Sequence, residues 1–351
     1  MLSDRHRTIF SVSEDFFAAA GTELRAEFPG ATIERIGPEA GRLTTRTAAI
    51  STVAEACRQR PIVFVRHLMR ERIAIPVTEA GCDGTAVVGE VQGLVEREAS
   101  GRQIALQVWS SGSSPTGFRA DELWRAVAAA LRERGYEVTR ANQAEIVSVC
   151  MLPGAVHVGL NGRSEALVDW PGGRVGLARS PEQVSRSEFK LEELFKVFDI
   201  SLPVGGTALD LGASPGGWAR LLLGRGLDVW AVDPAALDSR IAGDPHLHHA
   251  RMTAGPFLAR TERYFDVVVN DMRMEPSRSC QVMLDAARRL RPGGLAIMTL
   301  KLSGHDPLEM VEASLWSLER RYDIVHARQL FHNRNEVSVV ARRKEIQVER
   351  V

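Results

Sequence analysis

Residues Thr207–Pro234, TALDLGASPGGWARLLLGRGLDVWAVDP, read as a buried strand, a glycine-rich turn, a helix and a second strand. An α/β domain grips a nucleotide-type cofactor with this order of elements, at the carboxyl ends of its parallel strands. The turn, however, is not G-x-G-x-x-G. A dinucleotide needs successive backbone N–H groups aimed at a pyrophosphate, with no anion close by. Here Asp210 ends the strand just before the turn, and Pro215 deletes an N–H within it. A carboxylate at that point repels a pyrophosphate but suits S-adenosylmethionine, which carries a cationic amine and a sulfonium. Gly212, Gly216 and Gly217 allow the turn, and the missing Cβ atoms of Gly216 and Gly217 let backbone come close to a ligand. Ser214 lies in the same turn, and Trp218 is expected to pack the helix start against the sheet. The second strand ends in Asp233, 23 residues after Asp210. An acid there can accept both ribose hydroxyls of an adenosyl group, although NAD would use it in the same way. The combined pattern D-x-G-x-x-P-G-G-W…D favours S-adenosylmethionine, with Asp210, Gly212, Ser214, Pro215, Gly216, Gly217, Trp218 and Asp233 as the cofactor-binding candidates.

Downstream of Lys190 the pattern alternates between helix and strand. KLEELFKVFDI is a helix and TALDLG a strand; FDVVVNDM is a strand, SCQVMLDAARRL a helix, GLAIMTLKL a strand and PLEMVEASLWSLERRY a helix. DIVHARQLF and NEVSVVARR close the region as strands. Repeated βα units of this kind predict a mostly parallel sheet. Upstream, VGLARSPEQVSRSEF lacks an apolar period and reads as a linker over 173–187. Residues 1–75 read as a small α/β unit with a helix over Asp15–Phe28. Beyond them come a strand at RQIALQVWSS, an amphipathic helix at ADELWRAVAAALRERGY and a hairpin turning at Pro153-Gly154.

At 351 residues the chain is long enough for two or three domains. It carries 44 basic and 44 acidic residues, balanced as 21 of each over 1–180 and 23 of each over 181–351. Bulk charge therefore offers no argument for nucleic acid, and any RNA contact would need a local patch. Only four basic residues are lysines, namely Lys190, Lys196, Lys301 and Lys344. Arginine cannot lose its proton in a protein and lysine can, so each lysine invites a question. Cys57, Cys82, Cys150 and Cys280 are scattered and predict buried thiols rather than disulfides or a zinc site. His246, His248 and His249 cluster without spaced acid or cysteine partners, so no metal is expected. The N-terminus has charges among its apolar residues, and no apolar run reaches the roughly 18 residues of a membrane span, so the chain is expected to be cytoplasmic, with no membrane contact.

The acceptor is suggested by residues around the turn. Base-amine methyltransferases usually place an Asn/Asp-Pro-Pro-aromatic motif after the fourth strand, whereas this chain has NDMRMEPS, with Asp271 at the strand end. A hydroxyl acceptor needs a base or a cluster of charges to stabilise the developing alkoxide. Lys301 ends the next strand, beside Asp271 in this topology; Lys190 opens the domain and Glu336 starts a late strand. Two lysines and two carboxylates meeting at the methyl group would suit deprotonation of a ribose 2′-hydroxyl.

SRSEFKLEELF, LDLGASPGGW, VVNDM, TLKL and NRNEVSVVAR together resemble the FtsJ/RrmJ-like ribose 2′-O-methyltransferases, whose catalytic tetrad is Lys-Asp-Lys-Glu. The resemblance carries the tetrad onto Lys190, Asp271, Lys301 and Glu336. It is closest to the 23S rRNA large-subunit methyltransferase M family, which 2′-O-methylates a cytidine. The implied architecture is α/β: a ferredoxin-like segment (1–75), a THUMP-like RNA-binding domain (76–172), the linker (173–187) and a Rossmann-like FtsJ-type methyltransferase domain (188–351). It implies S-adenosylmethionine as cofactor and an RNA substrate, 23S rRNA. Lys301 would be general base or alkoxide-stabilising charge, oriented by Asp271, which would also face and help bind the cofactor, with Lys190 and Glu336 positioning the hydroxyl and tuning Lys301. Met252 and Thr253 stand where related enzymes often place an acid towards adenine. Arg179, Arg186, Arg328, Arg334 and the run Arg342-Arg343-Lys344 are the candidates for RNA contact. A 2′-O-methyltransferase of tRNA or another RNA, or an inactive RNA-binding relative, are the other readings.

Overall fold

The first six elements run strand, helix, strand, strand, helix, strand: β1 (His6–Ser11), α1 (Phe17–Glu27), β2 (Thr32–Gly37), β3 (Ala40–Thr45), α2 (Ile50–Gln59) and β4 (His67–Arg70). The structure is a computed structural model, and it describes residues 5–59, 62–77, 83–112, 117, 119–302 and 306–345. The four strands form an antiparallel sheet in the order β2-β3-β1-β4. In α2 the buried residues Ile50, Val53, Ala54 and Cys57 recur at helical spacing, so one stripe packs inward.

A second sheet follows from β5 (Ile73–Pro76), α3 (Gly84–Glu98), β6 (Gln103–Ser110), α4 (Ala120–Glu133), β7 (Glu137–Thr139), β8 (Glu145–Met151) and β9 (Ala155–Gly162). Its order is β5-β9-β8-β6-β7, with β6 parallel to both β7 and β8 and the other pairs antiparallel. The sequence reading placed no helix over 84–98, where three glycines and several valines weaken helix propensity. Packing overrides propensity there: Val87, Val91, Leu94 and Val95 are buried in one stripe in the core shared with α4, and the Asp83 side chain caps the start from Thr85 N–H at 2.8 Å. Between the two sheets Glu71 is buried, held by Arg42 of β3 at 2.8 Å and His157 of β9 at 2.7 Å.

The chain divides into two compact units, Met1–Gly176 and Leu177–Val351. The second comprises α5 (Glu188–Phe198), β10 (Thr207–Leu211), α6 (Gly217–Leu223), β11 (Asp228–Val232), α7 (Ser239–Ala242), β12 (Leu247–Ala250), α8 (Ala254–Arg260), β13 (Phe265–Asn270), α9 (Pro276–Ala286), β14 (Leu290–Lys301), α10 (Pro307–Leu318), β15 (Tyr322–Arg328) and β16 (Glu336–Arg343). They build one mixed seven-stranded sheet, β12-β11-β10-β13-β14-β16-β15, in which β16 alone runs against its neighbours. Ala208, Val229, Ala231, Val267, Val269, Ile297 and Val340 form one face of the sheet, under α5 and α6. The intervening residues Leu209, Leu211, Val268 and Met298 are buried on the other, so the central strands are apolar on both sides. The order starts from β10 and winds outwards in both directions, so β10 and β13 border the switch point where such sheets open a crevice.

Cys57, Cys150 and Cys280 are buried, Cys150 and Cys280 as free thiols, and Cys82 lies outside the described residues. Among the described residues no group of His, Cys, Asp or Glu is arranged to hold a metal ion, and no helix is long and apolar enough to cross a membrane. His246 instead sits 2.7 Å from Asp228, His249 Nε2 lies 3.0 Å from the Asp233 carbonyl, and His248 stacks on Trp230.

Candidate functional site

At the carboxyl ends of β10, β11, β13 and β14 lies a cavity of about 670 Å³. Asp210, Gly212, Ser214, Pro215, Trp218, Asp233 and Asp271 line it, together with Lys190, Lys301 and Glu336. Of the residues expected there, only Gly216 and Gly217 are not on its wall. Their lack of a side chain also answers to packing within the protein. A Cβ on Gly216, whose φ is +111°, would lie 2.2 Å from Ile241 Cδ1, and one on Gly217 would lie 2.3 Å from Ser185 Oγ. Both glycines let protein pack on protein at the start of α6. Gly212 has φ +74° and a site for Cβ that Met272 Cγ fills at 2.1 Å.

The turn is anchored through its acids. Asp233 accepts from Ser214 N–H at 3.2 Å and from Ala235 N–H at 2.8 Å, and the Ser214 hydroxyl donates to Ala236 O at 2.9 Å. Trp218 is buried in the core and its indole N–H donates to Ser187 O at 2.8 Å, tying α6 to the segment before α5. Asp210 is 2 % exposed, and among the described residues its Oδ2 has no hydrogen-bond partner. Burial, and then the neighbouring Asp271, push its carboxyl up to about 8; the Ala219 N–H works the other way and Asp233 adds to the rise. An unpartnered buried oxygen on a cavity wall is what a cationic ligand group would satisfy.

Next to Asp210 the four remaining charged groups form a closed ring. Lys301 and Glu336 are direct cross-strand partners in the β14–β16 register, so their side chains share a face and an edge. Asp271 follows the last residue of β13, and Lys190 sits in the first turn of α5. Lys190 Nζ is 3.1 Å from both Asp271 oxygens and 2.7 Å from Glu336 Oε2. Lys301 Nζ is 2.5 Å from Asp271 Oδ1 and 3.0 Å from Glu336 Oε1. Each lysine therefore touches both acids, and the ring carries no net charge. Burial works against the Lys190 ammonium, but Asp271 and Glu336 outweigh it and raise its pKa above the ordinary lysine value.

Two supporting residues were not singled out from sequence. Thr299 is buried two residues before Lys301 on β14; its hydroxyl donates to Asp271 Oδ1 at 2.6 Å and accepts from Lys301 at 2.7 Å. The period-two alternation of a strand carried the signal for it. Glu193 of α5 is 1 % exposed and accepts from the Phe331 N–H at 2.9 Å and the His332 N–H at 2.8 Å, with His332 Nδ1 also at 2.8 Å. It fixes the loop that leads into Glu336. A buried glutamate beside Leu191, Leu194 and Phe195 was its trace in the sequence.

The arginines expected to meet RNA separate into two groups. Arg186 and Arg334 line the main cavity. Arg328 is a correction: it is 5 % exposed with its guanidinium 5.4 Å from the Phe198 ring centroid, so it belongs to the interior. Arg273, not singled out from sequence, lines the main cavity and two adjoining ones. One, of about 410 Å³, is bounded by Asp233, Thr253, Ala254, Met272 and Val282. The other, of about 480 Å³, also opens on Lys301, Arg334 and Glu336.

Residues 183–314 match the family model described as FtsJ-like methyltransferase. Three curated relatives carry the name Ribosomal RNA large subunit methyltransferase M. That of Halorhodospira halophila is 39% identical over 177 residues, covering 50% of this chain and 51% of the relative. That of Laribacter hongkongensis is 36% identical over 188 residues, covering 48% and 51%. That of Serratia proteamaculans is 29% identical over 304 residues, covering 81% and 78%. In the first two the match spans about half the relative's length. Residues 183–314, within the second unit, are thus similar to FtsJ-like methyltransferases, and the chain is similar to proteins named Ribosomal RNA large subunit methyltransferase M.

Proposed function

We propose that the chain is an RNA ribose 2′-O-methyltransferase that uses S-adenosylmethionine and acts on a cytidine of large-subunit rRNA. The observation that carries this reading is the closed Lys190–Asp271–Lys301–Glu336 ring on the wall of the Asp210 cavity. The residues present fit the cofactor. Asp210, with its orphaned Oδ2, would face the cationic amine, and Asp233 would accept the ribose hydroxyls. The adjoining cavity, with Ala254, Met272 and Val282 on its wall beside Asp233 and Thr253, would hold the flat adenine against apolar side chains. When bound, the cofactor supplies an electrophilic methyl group.

The ring's own chemistry addresses the acceptor. A ribose hydroxyl is a poor nucleophile until its proton is lost or its developing charge is met. Lys301 has three N–H donors, engaged by Asp271, Thr299 and Glu336, so its ammonium is held in one orientation. An incoming hydroxyl from the 480 Å³ side meets that fixed positive charge, with Glu336 as the acceptor for its proton. Lys190 binds the same two acids and keeps the ring from becoming anionic.

The first unit is read as a ferredoxin-like segment followed by a THUMP-like RNA-binding domain. Its βαββαβ order and β2-β3-β1-β4 sheet support the former. The pairing of β5 with β9 from Ile73 onward supports a boundary between the two near residues 71–72 rather than at 75/76.

Transfer of tritium from labelled cofactor to unmodified ribosomal RNA tests the reading, with nucleoside digestion to locate the label. Wild type is expected to label a ribose 2′-oxygen, and Lys301→Ala to lose at least 100-fold in rate while still binding cofactor. No label in any RNA sinks the activity; label on a base sinks the ring's role; label confined to tRNA moves the substrate.

A further inference from the structure

We propose that the end of the second unit's sheet opposite the catalytic ring holds a further RNA-binding site, where a cluster of arginines takes a phosphodiester and Trp316 stacks a base. The proposal rests on the reading of RNA as substrate. β16 runs antiparallel to β14, so Glu336 lies at the ring and Arg343 at the far end. Seven residue steps at about 3.3 Å place the two about 23 Å apart. At that far end a cavity of about 250 Å³ is bounded by Arg288, Arg320, Arg321, Arg343 and Lys344, with Glu345 the one acid among its described lining residues. Asp323 lies 3.9 Å from Lys344 Nζ, which still leaves the lining strongly basic in a chain whose total charge is zero.

Basic residues near helix C-termini often do no more than meet the last carbonyls. Lys344 does so, donating to Glu319 O at 2.6 Å, and Arg343 donates to Leu290 O. Arg288, Arg320 and Arg321 do not: all three are exposed, and among the described residues none has a side-chain hydrogen bond or an ion pair. Three unpaired guanidiniums around one concavity repel each other unless an anion joins them. A phosphodiester matches their forked donors.

The second observation is independent of charge. Trp316 on α10 is 73 % exposed, while Trp109 and Trp218 are buried. It precedes Arg320, a wall residue of that cavity just past the end of α10, by four residues in the chain. An exposed aromatic a few residues from a basic cavity is the arrangement that binds single strands, the ring stacking on a base and the arginines following the backbone. An acidic peptide would use the arginines and leave the indole without a role.

The full chain, Arg288→Ala/Arg321→Ala and Trp316→Ala are compared with a long single-stranded rRNA transcript and with a short RNA holding little more than the target nucleotide. Dissociation constants are measured by filter binding at several salt concentrations, alongside kcat and KM for methyl transfer. The double variant is expected to bind the long RNA about tenfold more weakly, with a salt slope shallower by about 1.4. Trp316→Ala is expected to lose about tenfold without a change of slope, and Trp316→Phe to recover most of it. Saturated kcat, cofactor affinity and binding of the short RNA stay at wild-type values. Unchanged long-RNA affinity and slope in both Ala variants overturn the proposal, as does equal weakening on the short RNA. Should wild type bind RNA but methylate none, the proposed activity fails and the binding measurements still decide this site; should it bind no RNA, both fail.

Discussion

Replacing Asp210 by asparagine tests how the buried carboxyl and a cationic ligand depend on each other. The carboxyl is 2 % exposed, its Oδ2 is unpartnered among the described residues, and burial together with Asp271 lifts it to about 8. At pH 7 about nine-tenths of the unliganded protein therefore holds Asp210 protonated. A cationic amine needs it ionised, so binding must expel a proton. Between pH 6 and 7 the ligand's own amine, with an ordinary value of about 7.7–8.0, stays charged, and Asp210 dominates the titration. Affinity for S-adenosylmethionine should then rise about tenfold over that unit, or about 1.4 kcal/mol. Titration calorimetry in buffers of different ionisation enthalpy should count close to one proton released at pH 7. Asp210→Asn should bind more weakly at pH 7, show no slope between pH 6 and 7 and release no proton. Stability moves the opposite way. A carboxyl whose folded pKa is raised favours folding most at acid pH and loses that advantage as pH climbs from about 4 to 8. The asparagine variant escapes that loss, and the unliganded variant should unfold at a higher temperature than wild type at pH 8, by up to about 5 kcal/mol in stability. Flat affinity between pH 6 and 7 without proton release would refute the reasoning.

Thr299→Val preserves shape but removes the hydroxyl between Asp271 and Lys301; single-turnover transfer should slow about tenfold with cofactor affinity unchanged. Gly216→Ala combines φ +111° with a Cβ 2.2 Å from Ile241 Cδ1, and should cost about 2–4 kcal/mol in denaturant unfolding. Adding Ile241→Ala should relieve the clash but not the backbone strain. In the first unit burial of Glu71 opposes its charge, but His157 and Arg42 outweigh it and hold the carboxyl at about 2. Its stabilisation is complete above the ordinary value of about 4.5 and fades as pH falls towards 2, so Glu71→Gln should flatten acid unfolding in that window.

The sequence carried the site further than the scaffold around it. Strand ends reveal themselves by an abrupt change from apolar to charged residues, which is how Asp210, Asp233, Asp271 and Lys301 could be placed before any coordinates. That Lys301 would stand opposite Glu336 required the antiparallel register, which no local pattern specifies. Helix α3 escaped because its glycines and valines argue against a helix, and only its packing in the core shared with α4 settles it. Arg328 looked like any other surface arginine, since burial depends on partners such as Phe198 that lie far off in sequence. The close packing of Ile241 on Gly216 and of Ser185 on Gly217 was not legible either, since those partners are set by the fold rather than by the turn itself.

The place of β16 between β14 and β15 also has a consequence in time. Both neighbours precede it in the chain, so during synthesis they emerge before the strand that separates them exists. The residues proposed to hold the cofactor, from Asp210 to Asp233, are made more than a hundred residues before Glu336. A growing chain can therefore assemble the proposed cofactor pocket while the Lys190–Asp271–Lys301–Glu336 ring is still missing a side. Under the proposed function, holding the donor and using it would be separated by the arrival of one strand.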